Sequence, residues 1–123
     1  MIHLDTSVLI DALTGPKRSG RKLREMIQSS ERVHLSALVV YEWRRGPRSH
    51  QQIADQEALF PASEAVPFGP PEALLAASLY SKITRARGRE IDLAIAACAI
   101  GHEARLWTLN PEDFKDIPNL LLV

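Results

Sequence analysis

Short apolar runs alternate along the chain with longer amphipathic stretches. Ile2-His3-Leu4, Val33-His34-Leu35, Ala65-Val66-Pro67, Arg105-Leu106-Trp107 and Leu120-Leu121-Leu122-Val123 are each of strand length. Between them, apolar residues recur with helical period at Leu9, Ala12 and Leu13, at Leu74, Leu75, Leu79 and Ile83, and at Ile91, Ala94, Ile95, Cys98 and Ala99. The boundary signals agree. Asp5, Thr6 or Ser7 can start a helix over Thr6 to Leu13, Ser36 can cap one holding Leu38 to Arg45, Pro70-Pro71 opens a long one, and Gly101 closes the helix after Ile91. Gly46-Pro47-Arg48 and Pro61-Ala62-Ser63 read as turns within one unit. Strands that alternate with helices predict a parallel sheet covered on both faces. The expectation is one domain over residues 1–123, an α/β protein built as a three-layer α/β/α sandwich with a central parallel sheet of about five strands.

Composition narrows the class. With 123 residues, 46% of them hydrophobic, the chain can bury a single core but not two. Fifteen basic residues balance fifteen acidic ones, so bulk charge would not hold a polyanion and local patches must. The N-terminus meets an acid at Asp5 where a signal peptide would continue apolar, and no apolar run is long enough to span a bilayer, so a cytoplasmic location with no membrane contact is expected. Cys98 is the single cysteine and reads as a small buried hydrophobe. No Cys/His cluster has structural zinc spacing, so any metal should take hard ligands. His3 and His34 read as satisfied residues at the edge of the core, and His50 and His102 as exposed.

Open parallel sheets bind ligands beyond the carboxyl ends of their strands. Asp5 stands at such an end. It could simply cap the following helix, but Thr6 and Ser7 would cap as well. Glu42 falls one turn after Leu38, on the stripe that should face the core, where a carboxylate needs a partner such as Arg45 or a cation. Asp92 repeats the anomaly in the first turn of the helix after Ile91, a placement the helix dipole also favours. Clustered carboxylates raise one another's pKa unless a cation sits among them, and an all-oxygen set suits Mg²⁺ or Mn²⁺. Such ions polarise phosphoryl oxygens and activate water, so no Ser, Cys or His is needed as nucleophile. In Thr108-Leu109-Asn110-Pro111-Glu112-Asp113-Phe114, Asn110 and Asp113 are further candidates, although the same residues also spell a capped helix start. Thr108 could hydrogen-bond a water at the site or cap a turn.

Four segments together resemble the PIN domain family: Leu4-Asp5-Thr6-Ser7-Val8-Leu9-Ile10-Asp11, Ser36 to Gly46, Ile91-Asp92-Leu93-Ala94-Ile95-Ala96-Ala97, and Thr108 to Phe114. More narrowly, the chain is similar to VapC-type toxins of toxin–antitoxin pairs, over its whole length and in order. The resemblance implies a PIN-like fold and a metal-dependent endoribonuclease. By position, Asp5, Glu42 and Asp92 match the three core acids, as catalytic residues and metal ligands, and Asp113 is the carboxylate of the variable fourth segment, where Asn110 stands in place of an acid. It also implies an RNA substrate, a homodimer, and a hetero-oligomer with a cognate antitoxin on a separate chain.

Basic residues supply the substrate side. Arg44, Arg45 and Arg48 follow Glu42, and Arg85, Arg87 and Arg89 precede Asp92; Arg44, Arg45 and Arg89, with Thr6 and Asn110, are the candidates for substrate contact. Lys17, Arg18, Arg21 and Lys22 recur at helical spacing, as a solvated face also would. Tyr41, Trp43, Tyr80 and Trp107 are too scattered to predict a stacking platform. An aspartyl-phosphate phosphatase would need an acid at position 7, which is Ser7. A phosphoacceptor receiver would need one at Val66-Pro67-Phe68 and a lysine soon after Trp107, and has neither. The alternative from another class is a non-catalytic PIN-like module that binds RNA or protein.

Overall fold

All three residues of the first strand are buried: Ile2, His3 and Leu4 are 1%, 1% and 0% exposed. Side chains alternate between the two faces of a strand, so burial of every one means that both faces are covered. The computed structural model describes residues 1–123, and in it β1 (Ile2–Leu4) pairs in parallel with β2 (Val33–His34) on one side and β3 (Arg105–Trp107) on the other. β4 (Leu121–Leu122) lies beyond β3, again parallel, giving the order β2-β1-β3-β4. Between strands run α1 (Thr6–Thr14), α2 (Arg18–Gln28), α3 (Ala37–Arg45), α4 (His50–Leu59), α5 (Pro70–Lys82) and α6 (Glu90–Gly101), with short 3₁₀ turns at Ala62–Glu64 and Pro111–Asp113. α1 packs on α2, α3 and α4, and α5 packs on α6, which completes the layers of the expected α/β/α architecture.

The sheet has four strands where the sequence suggested about five. Ala65-Val66-Pro67 contributes a single parallel bridge from Val66 to Ser36, made by Val66 N–H donating to Leu35 O and Ala37 N–H to Val66 O, both at 2.8 Å. The ladder ends there because the facing chain turns into α3 at Ala37, directly after Ser36. The boundary residues otherwise behave as their chemistry dictates. Ser36 Oγ accepts from Val39 N–H, Ser49 and Gln52 form a reciprocal capping box, and Pro70 and Pro71 occupy the first turn of α5.

α6 is buried on every side from Leu93 to Ala99. Its alanines and Cys98 let α5 and the sheet approach closely, and burial pushes the Cys98 thiol up to about 11. The histidines depart from expectation. His3 is buried with neither ring nitrogen hydrogen-bonded, so it is not a satisfied core residue. Burial, reinforced by the nearby His102 and His34, lowers its pKa to about 4. His102 is half-buried at the end of α6, with its ring on the Cys98 carbonyl. No helix is long and apolar enough to cross a membrane.

Candidate active site

The chain leaves β1 towards β2 on one side and reaches β3, by way of α3 to α6, on the other. Connections therefore diverge between β1 and β3, and a crevice opens beyond the carboxyl ends of these two strands. Asp5 stands there, only 5% exposed, its backbone N–H donating to Trp107 O at 2.9 Å. It occupies the N-cap position of α1, yet its side chain makes no capping bond. The carboxylate instead accepts from Ser7 Oγ at 2.8 Å and Thr108 Oγ1 at 2.7 Å. Both donors reach the same oxygen, Oδ2, which leaves Oδ1 without a protein donor. Ser7 Oγ also accepts from Leu109 N–H, and Thr108 Oγ1 from Asn110 N–H, each at 3.0 Å. The hydroxyls are thus anchored by the backbone that follows β3, so the ends of β1 and β3 are tied into one unit.

Glu42, on α3, keeps one oxygen on Thr6 Oγ1, which donates at 2.6 Å. Its contact with Arg45 is 3.4 Å long and Arg45 is half-exposed, so this ion pair is too loose to neutralise the carboxylate. Asp92, in the first turn of α6, is half-buried; burial first, and then the charges of Asp5, Glu42 and Asp113, push its pKa up to about 6, against the opposing pull of Arg89. Repulsion among these four acids means that they share one electrostatic neighbourhood.

Asp5, Thr6, Ser7, Ile10, Glu42, Asp92, Asn110, Asp113 and Phe114 line a cavity of about 240 Å³. The cavity therefore gathers all four acids, with Thr6 and Asn110, from four separated segments. Asn110 makes no capping bond to the 3₁₀ turn that it precedes, so its amide is not spent on local structure. Asp113 is exposed at the rim. Sequence reasoning treated Ser7 only as a possible cap, although a hydroxyl two residues after a strand-end acid is the signal that finds it. Ile10 and Phe114, the apolar wall, carry no such signal.

The three arginines lie outside this lining. Arg44 is committed to Gln56 Oε1 at 2.8 Å and Glu57 Oε2 at 2.9 Å on α4. Arg45 stacks over Tyr41, its guanidinium carbon 5.2 Å from the ring centroid. Arg89 grips both Asp116 oxygens, at 2.8 and 2.7 Å, and the Asp113 carbonyl at 2.8 Å. Its role in this geometry is to tie the start of α6 to the turn that carries Asp113. Lys22, from the basic face of α2, sits 4.8 Å from the ring centroid of Trp107, the residue before Thr108.

The donor chemistry fits a hard divalent cation: four carboxylates, an amide and hydroxyls, all oxygen ligands, in one polar cavity. As the side chains stand, no group of three or more His, Cys, Asp or Glu is in position to hold a metal ion. The acids face a common space without closing on one point, as mutually repelling charges do.

The PIN domain model matches residues 2–120. A relative from Mycobacterium tuberculosis, Ribonuclease VapC19, is 31% identical over 130 residues, covering 95% of this chain and 94% of its own. Among solved structures, DNA-bound VapBC from Salmonella typhimurium superposes with a TM-score of 0.78 at 20% identity, covering 99% of this chain and 96% of that one. A toxin–antitoxin complex from Klebsiella pneumoniae gives 0.74 at 24% identity, with 98% and 96% covered. Its fold, the strand-end placement of its acids and these likenesses agree that the chain belongs to the PIN domain family and is a relative of the VapC proteins.

Proposed function

We propose that this chain is a Mg²⁺- or Mn²⁺-dependent endoribonuclease, the toxin of a VapBC-type pair, working in the cytoplasm as a homodimer and restrained by an antitoxin on a separate chain. The observation that carries the reading is the convergence of Asp5, Glu42, Asp92 and Asp113 on one cavity at the β1/β3 crevice. The ribonuclease name of the 31%-identical relative and the toxin–antitoxin assembly of a structural neighbour support the same reading.

Asp5, Glu42 and Asp92 would hold the cation, with Asp113 at the rim. When bound, the ion supplies Lewis acidity, polarising a phosphoryl oxygen and lowering the pKa of water. The other tasks fall to the protein. Ser7 and Thr108 fix the orientation of Asp5, and Thr6 that of Glu42. With no cation present Asp92 is half-protonated at about pH 6, so below that pH an ion must displace a proton to use its carboxylate. The Asn110 amide offers a neutral contact for a phosphate or base edge beside the acids, where an acid would repel it. Because Arg44 and Arg89 are paired with Glu57 and Asp116, long-range attraction of RNA rests on the half-exposed Arg45 and the exposed basic face of α2, with Lys22 nearest the end of β3.

The test is cleavage of a labelled, mixed-sequence single-stranded RNA by the purified, partner-free chain in Mg²⁺, Mn²⁺ or EDTA, beside Asp5→Asn. Metal-dependent cutting that vanishes in the variant supports the reading. If nothing is cut, Mn²⁺ calorimetry decides: binding lost in Asp5→Asn points to a narrow RNA specificity, and no binding overturns the nuclease in favour of a non-catalytic module.

A further inference from the structure

Two other histidines approach His3 away from the carboxylates. His3 of β1 lies opposite His34 of β2 in the parallel register, so both side chains project from the same face of the sheet. Their ring centroids are 6.3 Å apart. His102, which follows α6, brings its ring centroid within 5.6 Å of that of His3. None of the three lines the acidic cavity. We propose that His3, His34 and His102 form a second cation site, selective for a late first-row divalent ion such as Zn²⁺, Ni²⁺ or Cu²⁺.

Three observations converge on this assignment. The first is an unmet need: His3 is 1% exposed, and neither Nδ1 nor Nε2 has a hydrogen-bond partner. A neutral or protonated imidazole carries at least one N–H, and leaving such a group unpaired in the interior is costly, so the fold retains a ring that its own polar groups do not satisfy. The second is spacing. With metal–nitrogen bonds of about 2.0 Å and tetrahedral angles, the centroids of two ligating imidazoles lie roughly 5.2 Å apart. The two separations from His3, 5.6 Å to His102 and 6.3 Å to His34, are within reach of that value. The third is tautomer control. His102 Nδ1 lies 2.8 Å from the Cys98 carbonyl oxygen, which can only accept, so Nδ1 carries the proton and Nε2 of the neutral ring keeps its lone pair. Metal-ligating histidines are commonly oriented by such a bond from the other ring nitrogen to a backbone carbonyl.

As the rings stand, no three donors are set to hold one ion. Closure takes rotation of the partly exposed His34 towards a His3 fixed by burial and a His102 held by its bond to the Cys98 carbonyl. An all-nitrogen site separates the two cation classes: imidazole suits Zn²⁺, Ni²⁺ and Cu²⁺, whereas the carboxylates suit Mg²⁺ and Mn²⁺.

Zn²⁺ titration of the intact chain by calorimetry in excess Mg²⁺, with wild type, Asp5→Asn, His34→Gln and His102→Gln compared, tests this directly. One Zn²⁺ should bind, survive Asp5→Asn, and weaken by about 10-fold or more in each histidine variant. Long-range ¹⁵N correlation spectra of the wild-type imidazoles give a reading that needs no variant: ligation moves one nitrogen of each ring. Zn²⁺ binding that disappears in Asp5→Asn, or imidazole signals untouched by Zn²⁺, overturns the proposal. Neither result depends on RNA cleavage, so the nuclease reading stands or falls separately.

Discussion

Thr108 Oγ1 donates a 2.7 Å hydrogen bond to Asp5 Oδ2 across 103 residues of sequence, joining the end of β3 to the end of β1. A carboxylate that accepts two hydroxyl donors on one oxygen is fixed in orientation with its other oxygen turned free. Thr108→Val keeps the shape and removes the donor. Cleavage should fall by about 10-fold, on the order of 1.4 kcal/mol of transition-state stabilisation, with unchanged circular dichroism. Ser7→Ala should act similarly, and the double variant should lose less than the product of the two because both act on Asp5. Wild-type rates in both single variants would show that Asp5 needs no such restraint.

Acidification pulls stability in two directions. Asp92 has a folded pKa of about 6 against an ordinary 3.8, so between these values the folded chain binds more protons than the unfolded one, and lowering the pH through about 6 stabilises it. His3 has a folded pKa of about 4 against 6.5, so there the unfolded chain binds more protons, and lowering the pH from about 6.5 destabilises the fold. Asp92→Asn removes only the first effect. Urea midpoints should show a variant more stable than wild type near pH 7, by on the order of 1 kcal/mol after screening, and steeper in its loss of stability towards pH 4.5. Parallel curves for the two proteins would contradict the assignment.

Cation binding should register in stability before any RNA is cut. Mn²⁺ at about 100 times its dissociation constant stabilises a protein by about 2.7 kcal/mol, a rise of several degrees in Tm. The rise should vanish in Asp5→Asn. In Asp113→Asn, which alters only the exposed rim acid, part of it should remain and cleavage should be less impaired than in Asp5→Asn or Asp92→Asn. Complete inactivity of Asp113→Asn would make that residue an indispensable ligand.

Arg89 holds Asp116 and the Asp113 carbonyl together in a setting about one-fifth exposed, with side-chain accessibility of 21%. Arg89→Gln retains bulk but loses the two-pronged contact. We expect a loss of roughly 1–2 kcal/mol in stability and weaker cleavage through the loosened Asp113 turn. If cleavage dropped while stability did not, Arg89 would instead be meeting the substrate directly.

The sequence by itself determined the layer architecture, because the alternation of strand-length apolar runs and helical periods allows few other arrangements, and it marked Asp5, Glu42 and Asp92 because acids at strand ends and on core-facing stripes lack a local explanation. Ser36 and Pro70-Pro71 were legible for the same reason: caps and helix starts are local chemistry. Only tertiary structure decided the rest. Whether Val66 founds a strand or a single bridge depends on the chain that faces it, which turns into α3 directly after Ser36. Whether Arg89 faces substrate or Asp116 depends on a partner 27 residues away. That the Asp5 side chain is held by Thr108 and does not cap α1, and that His34 and His102 approach His3, was set by strand register and the end of α6. Periodicity records which face of an element is buried, but the partner met on that face is fixed by contacts between distant segments, and those exist only once the chain has folded.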